Sequence, residues 1–435
     1  MRVAVVGGGL AGSEAAWQLA GRGFEVVLYE MRPLKMTPAH RSGALAELVC
    51  SNSLGSAEVV SASGLLKEEL RRLGSLVISC AERARVPAGK ALAVDRELMS
   101  REVESRLLSL PNVLLVREEV TSLPDGLAVV ATGPLTSEAM MRSLGEAIGG
   151  GFLYFFDAVA PVVLAESVDL GSAFRGGRYG HDEDYLNCPL TREEYEAFVG
   201  ELVRAERHIP HDFERAVFFE GCLPVEEMAR RGIDTLRFGP MKPVGLVDPR
   251  TGEEPYAVVQ LRQENVEGTL LGMVGFQTSL RWGEQDRIFR MIPALRNAEF
   301  VRYGVMHRNA YVNAPVVLDG CLRLKRAPNV FLAGQLVGVE GYVESVAMGL
   351  VAALNLASTA MGRDCPIFPR ETMVGSLLHY LSTGNPRDFK PMNANFGLMP
   401  PLGRRIRDRA ARNAAMAGRA LSALESFVRA NPHLF

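Results

Sequence analysis

The chain is poor in the features that mark secreted, membrane-spanning or strongly charged proteins. It has six cysteines in 435 residues, at positions 50, 80, 188, 222, 321 and 365, with no CxxC pair and no dense framework. That argues against a disulfide scaffold and suggests free thiols in a reducing cytoplasm. No metal site is expected. No apolar run approaches the ~20 residues that a membrane span needs. An excess of one charge is missing too. Lys and Arg number 48 against 50 Asp and Glu, for a formal net charge of −2, so any nucleic-acid binding must use local basic patches. The apolar stretch behind Arg2 has three consecutive glycines, which argue against a signal peptide and which a nucleotide motif needs. At roughly 100–200 residues per domain, the length fits two or three domains.

What is present starts at the N-terminus. RVAVVGGGLAGSEAAWQLAGRGFEVVLYE reads as strand, turn, helix, strand. Val3 to Val6 suit a parallel strand buried on both faces. Gly7, Gly9 and Gly12 complete a G-x-G-x-x-G turn. Gly7 permits the tight turn, Gly9 lets a pyrophosphate approach the backbone, and Gly12 lets the helix pack closely on the sheet. The turn Gly7, Gly8, Gly9, Leu10, Ala11, Gly12 is therefore the expected cofactor cradle, with helix amides from about Ala11 aimed at phosphate. Glu30 ends the second strand, where a carboxylate accepts from ribose hydroxyls. A glycine turn without a ligand is the bland alternative, and the full spacing of strand, helix, strand and acid weighs against it.

The first motif does not choose between NAD and FAD. Two later segments favour FAD. Gly126–Leu135 is an apolar strand ending in Ala131-Thr132-Gly133, and Asn329–Ala357 is a strand, a glycine-rich turn at Gly334 and a long helix. Such a late unit closes over the flavin end of the cofactor in two-part FAD proteins.

Taken together, GGGLAGSEAA, ATG and AGQLVGVEGYVESVAMGL resemble the flavoproteins that modify tRNA uridines. Two families share the first glycine motif and an Ala-Gly-Gln…Gly-Tyr-x-Glu pattern, here Ala333-Gly334-Gln335 and Gly341-Tyr342-Val343-Glu344. One is MnmG, which acts on wobble uridines and is much longer, with a C-terminal helical extension not seen here. The other is TrmFO, the folate- and FAD-dependent tRNA uracil-5-methyltransferases. ELVCSNSLGS, RPLKMTPAH, FEGCLPVEEMARRG and VRYGVMHRNAYVNAP are similar to TrmFO and run the length of the chain. Gln335 stands where many other FAD oxidoreductases have Asp, but Gln is the pattern in these two families. The resemblance implies methylation of uridine C5 in tRNA, a T-loop uridine becoming ribothymidine. It implies methylenetetrahydrofolate as one-carbon donor, reduced FAD as reductant and NAD(P)H as the electron source. It adds Gln335, Gly341, Tyr342 and Glu344 to the expected cofactor contacts.

That chemistry needs a thiolate. C5 of uracil is a weak nucleophile until a cysteine adds at C6, and the C5 proton must later leave to a base. Cys50 stands in ELVCSNSLGS, a Ser/Asn/Gly loop with open amides rather than an apolar core run. Cys222 stands in FFEGCLPVEEMA, before a helix opened by Pro224. By resemblance these two match the functional cysteines of TrmFO. Which of them attacks C6 stays open, and the other four read as structural. His307, Arg308 and Asn309 are candidates for the folate, by stacking on the pterin or binding its polar edge. Gly275–Gln285, GFQTSLRWGEQ, is a weaker candidate for the same pocket.

The expected fold is α/β: a discontinuous Rossmann-like FAD-binding domain over 1–185 and 305–435, with a smaller α+β domain inserted at 186–304. The C-terminal segment GRRIRDRAARNAAMAGRALSALESFVRA reads as a basic amphipathic helix with Leu421, Leu424 and Phe427 near one face. It is either a solvated packing helix or an RNA surface using Arg404, Arg405 and Arg409. The alternatives to the methyltransferase are a flavin oxidoreductase of a small metabolite, an MnmG-like wobble-uridine enzyme and a non-catalytic FAD-bearing RNA-binding protein. The oligomeric state is not legible.

Overall fold

The computed structural model describes residues 1–150, 152–178, 184–207, 223–403 and 406–435. The N-terminal reading holds closely: strand β1 is Arg2–Val6, helix α1 Leu10–Ala20 and strand β2 Glu25–Glu30. Three further strands join them, β3 (Val113–Arg117), β4 (Ala128–Val130) and β5 (Val330–Leu332), and helix α2 (Tyr342–Ala360) follows β5. The sheet runs β5-β4-β1-β2-β3, every pair parallel. Val3, Val5, Ala128, Val129, Val130 and Phe331 are buried, as continuous apolar runs require when helices cover both faces. Val330 pairs with Ala128, so the domain is closed by chain that returns about two hundred residues later.

Helix α1 approaches α2 closely at Gly349 and the glycine turn at Gly12. A Cβ on Gly349 would lie 2.2 Å from the Ala11 carbonyl oxygen, and one on Gly12 1.7 Å from that of Gly7. Both glycines are there for close approach. By length and composition α2 is apolar enough to cross a membrane, a run the sequence reading passed over; here it is buried in the core.

A second core sits on a six-stranded antiparallel sheet. Its strands lie in the order 174–175, 185–190, 257–263, 270–273, 162–164, 300–302. Helices Arg192–Arg204 and Trp282–Phe289 cover it, the first opened by a capping box of Thr191 and Glu194. Charge composition put the inserted unit's start at 186, yet Val163, Val168 and Ala173 belong to this core. The chain enters and leaves through one antiparallel ribbon, Leu153–Ala158 against Met306–Tyr311. An insertion whose two ends are paired neighbours costs its host fold little.

One buried carboxyl ties helix Ala62–Arg72 to helix Met373–Thr383. Glu69 accepts the Met373 and Val374 amides at 2.7 and 2.9 Å. Burial pushes its pKa from 4.5 up to about 7, and the two amides only partly offset this. With the folded value above the unfolded one, the stabilisation is complete below pH 4.5 and is lost as pH rises through 7. Urea unfolding should therefore show the native chain losing on the order of 3 kcal/mol relative to Glu69→Gln between pH 4.5 and 8. Parallel pH profiles for the two proteins would contradict this.

Candidate active site

The ends of β1, β2, β4 and β5 open on a cleft with about 1020 Å³ of solvent-connected space. This is the crevice beyond the strand ends where open α/β sheets bind ligands. Gly7, Gly9, Leu10, Ala11, Glu30, Thr132, Gly133, Gly334, Gln335 and Tyr342 all border it. Gly7 has φ +102°, and a Cβ there would lie 2.5 Å from the Ala131 carbonyl oxygen, so the turn fits tightly beneath the end of β4. Above Gly9 nothing lies within 4 Å of where a Cβ would be. The backbone is thus bare toward the cleft where a pyrophosphate is expected. Gly8 and Gly12 do not border the cleft. The Gly8 amide donates to Glu30 Oε2 at 2.9 Å, and Gly12 faces the Gly7 carbonyl.

Glu30 is engaged on both oxygens. Oε1 accepts the Arg32 backbone N–H and Nε, each at 2.9 Å, and Oε2 accepts Gly8 N–H and, at 3.1 Å, Arg32 Nη2. Burial alone would raise its pKa, but the Arg32 bonds and charge with the Gly8 amide outweigh it and lower the value. Four bonds fill the acceptor positions of a carboxylate. A ribose hydroxyl at Glu30 would displace one of them. Arg32, Thr37, His40 and Glu47 also line this end of the cleft; they lie in the RPLKMTPAH and ELVCSNSLGS stretches that carry the resemblance, but the sequence did not single them out as site residues.

At the other end, Thr132 Oγ1 lies 2.6 Å from Thr136 Oγ1, and Gln335 Nε2 donates to Glu340 Oε2 at 2.7 Å. Gly334 takes φ +73°, where a Cβ would meet the Ala11 side chain at 2.9 Å, so the two glycine turns are packed together. Tyr342 and Ser345 bring the first turn of α2 to the cleft. Gly341 and Glu344 stand outside the lining. Glu344 is buried and accepts the Ala394 amide at 2.8 Å.

Cys50 is half-buried beside the cleft wall. Its amide donates to the Tyr342 hydroxyl oxygen at 2.7 Å, as does the Ser51 amide at 3.2 Å. Its carbonyl accepts Arg96 Nη2 and Arg302 Nη2, both at 3.3 Å. Its thiol donates to the Ala158 carbonyl at 3.5 Å. The Ser/Asn/Gly loop is therefore held by α2, by helix Arg96–Leu108, by the end of ribbon strand Leu153–Ala158 and by Arg302 at the end of an edge strand of the six-stranded sheet. Tyr342 borders the cleft and grips the cysteine loop, joining the two. Cys222 lies outside the described residues. The helix after it, Val225–Arg230, starts behind Pro224 as the sequence indicates. Cys80 and Cys188 are buried, and burial pushes the Cys188 thiol up to about 12.

His307, Arg308 and Asn309 lie on strand Met306–Tyr311, opposite Asp157, Phe156 and Phe155. Asn309 is buried. The His307 and Arg308 side chains lie outside the described residues. A cavity with about 1020 Å³ of open space is bordered by Pro38, Ser279–Trp282 and Gly304–Met306; it takes in part of the Gly275–Gln285 stretch, and its lining stops one residue before His307. Exposed Trp282 stacks on Tyr303 there, ring centres 5.8 Å apart.

Arg404 and Arg405 fall outside the described residues. Arg409 begins helix Arg409–Ala430 and is exposed, as are Arg407 and Arg412. Met416, Ala420, Leu424 and Phe427 bury the opposite face, while Leu421 is only half-buried. Arg419 is committed to the Pro400 and Pro401 carbonyls.

A parallel sheet with two glycine turns on one cleft, interrupted by an antiparallel domain, defines a Rossmann-like FAD-binding protein of the two-domain kind. The family described as glucose inhibited division protein A matches residues 2–364, and the chain belongs to it, within its TrmFO branch. Proteins named methylenetetrahydrofolate–tRNA-(uracil-5-)-methyltransferase TrmFO are similar along nearly the whole chain. The one from Moorella thermoacetica is 59% identical, covering 97% of each chain. That from Desulforudis audaxviator is 60% identical over 98% of each, and that from Aquifex aeolicus 56% over 99% of this chain and 97% of its own. Among solved structures, Aquifex aeolicus GidA in its form I crystal superposes with a TM-score of 0.70 at 17% identity. It covers all of this chain and 76% of that one, and so speaks for the fold.

Proposed function

We propose that this protein methylates C5 of a tRNA uridine, the T-loop uridine that becomes ribothymidine, with methylenetetrahydrofolate as donor, FAD as the bound redox cofactor and NAD(P)H as its reductant. The observation that carries the reading is Cys50 held through Tyr342 to the wall of a cleft built for a dinucleotide. The shared name of relatives 54–60% identical supports it over the wobble-uridine alternative. The residues fit FAD. The bare backbone at Gly9 and the helix α1 amides would hold the pyrophosphate, and Thr132, Gly133, Gly334, Gln335 and Tyr342, which line the rest of the cleft, would hold the flavin end. When bound, reduced flavin supplies the hydride that takes the transferred carbon to methyl.

The chain's own part is activation of the base. A cysteine thiolate adding at C6 forms an S–C6 bond and moves the ring's electron pair toward C5 and O4. C5 then takes the methylene-level carbon. Loss of the C5 proton to a base lets the bond between that carbon and the folate nitrogen break, with tetrahydrofolate as the leaving group, and reduction of the resulting 5-methylene by one hydride gives the methyl, expels the thiolate and restores the ring. Cys50 and Cys222 share these roles. A tRNA bearing 5-fluorouridine has no C5 proton to release, so a thiol adduct should accumulate on the native protein. Peptide mapping of the adduct identifies the attacking cysteine, and absence of any adduct would count against covalent catalysis.

RNA contact is expected along the exposed arginines that open the last helix. Replacing Arg407, Arg409 and Arg412 by Ala should lower tRNA affinity and flatten the slope of log K against log salt by about two to three. An unchanged slope would move the RNA surface elsewhere.

A further inference from the structure

A separate cavity with about 530 Å³ of open space borders Cys50 and Ser51. Three guanidinium groups from distant parts of the sequence meet there. Arg96 comes from the first turn of helix Arg96–Leu108, Arg262 from strand Ala257–Gln263 and Arg302 from the end of strand Phe300–Arg302. The one carboxylate in the lining is Glu264, which pairs with Arg96 at 2.9 Å. Three cations against one anion leave the lining positive in a chain whose net charge is −2.

The three arginines are not equally occupied. Arg262 is spent on the cysteine loop: Nε and Nη2 donate to Asn52 Oδ1 at 3.0 and 2.6 Å, and Nη2 also to Ser51 Oγ at 3.1 Å. Among the described residues, Arg302 makes a single hydrogen bond, from Nη2 to the Cys50 carbonyl, and no ion pair. Its Nε is buried without an acceptor, and so is that of Arg96. Burial, with the Arg96 charge adding to it, lowers the Arg302 pKa to about 10, and burial lowers Arg262 as well. A desolvated cation cluster with too few acceptors is electrostatically incomplete until an anion joins it.

We infer that this cavity takes a phosphodiester group of the substrate RNA beside the target uridine, with Arg302 and Arg96 as its donors. Uracil is uncharged at rest and leaves the positive lining unbalanced. Phosphate carries the resting charge, and guanidinium groups bind it in paired, charge-assisted hydrogen bonds. Cys50 borders the same cavity, so a nucleotide whose base reaches the thiol sets its adjoining phosphate near the arginines. The site would act as a clamp that brings the base to the sulfur. This rests on the reading of the protein as a tRNA uridine methyltransferase.

The test is a cycle on the flavin-loaded enzyme. The RNA is an unmodified tRNA stem-loop, native or with one uncharged methylphosphonate on the 5′ or the 3′ side of the target uridine. The proteins are the native chain, Arg302→Gln and Arg302→Lys, each checked for flavin content and melting temperature. Native protein should lose about tenfold or more in affinity for one of the two methylphosphonate RNAs. Arg302→Gln should lose a similar factor for native RNA and bind that methylphosphonate RNA no worse. Arg302→Lys, which keeps the charge, should fall between. A merely structural role for Arg302 does not produce this non-additivity. Losses that simply multiply, or methylphosphonates that cost the native protein nothing on either side, would overturn the inference and leave the cavity to another anion, such as a carboxylate of a small substrate. If the native protein fails to methylate unmodified tRNA at all, it is the functional reading that falls.

Discussion

Cys50→Ala should cut methyl transfer by on the order of 10³-fold or more while leaving the fold and the flavin in place. The change removes one sulfur and little volume. The loop would keep its anchors, because Tyr342, Arg96 and Arg302 all bind Cys50 or Ser51 through the backbone. What disappears is the thiol, with its hydrogen bond to the Ala158 carbonyl at 3.5 Å. Stability should therefore change by less than about 1 kcal/mol, the range of substitutions that neither open a core cavity nor strand a polar group. Near-normal turnover in the variant would mean that the sulfur is only structural and that the chemistry belongs elsewhere.

Gly9→Leu should yield folded, colourless protein. Gly9 has φ −72°, open to any residue, and nothing lies within 4 Å of the added Cβ. The new side chain would project into the cleft and occupy the approach of the pyrophosphate. Gly12→Leu is the informative contrast. Its Cβ would lie 1.7 Å from the Gly7 carbonyl oxygen, so that variant should lose flavin by losing the fold. Circular dichroism separates the two cases. A Gly9→Leu protein with full flavin absorbance would remove the cofactor from this cleft.

The two glycines show what a sequence can disclose. Their roles depend on neighbours a few residues away, and G-x-G-x-x-G carries that geometry within itself. The boundary of the inserted domain was less visible. Residues 162–164 form a short strand whose membership is decided by antiparallel partners more than a hundred residues further on, and charge composition does not register such pairing. Glu344 shows the limit of a pattern: it sits in the expected motif, but its carboxylate turns to the Ala394 amide. The arginine cavity was invisible because positions 96, 262 and 302 share no local signal and converge only through the packing of both domains. Tyr342 was expected at the cofactor; its grip on a loop 292 positions earlier in the chain emerges only in three dimensions.

The central claim is that one-carbon units pass from a folate to uridine C5. The most direct measurement incubates the purified protein with unmodified tRNA, NAD(P)H and methylenetetrahydrofolate labelled in the methylene carbon, then digests the RNA to nucleosides. The account predicts label in 5-methyluridine, dependent on the reductant and absent with Cys50→Ala. Reductant oxidised with no label entering the RNA would contradict it and leave a flavin oxidoreductase of some other substrate.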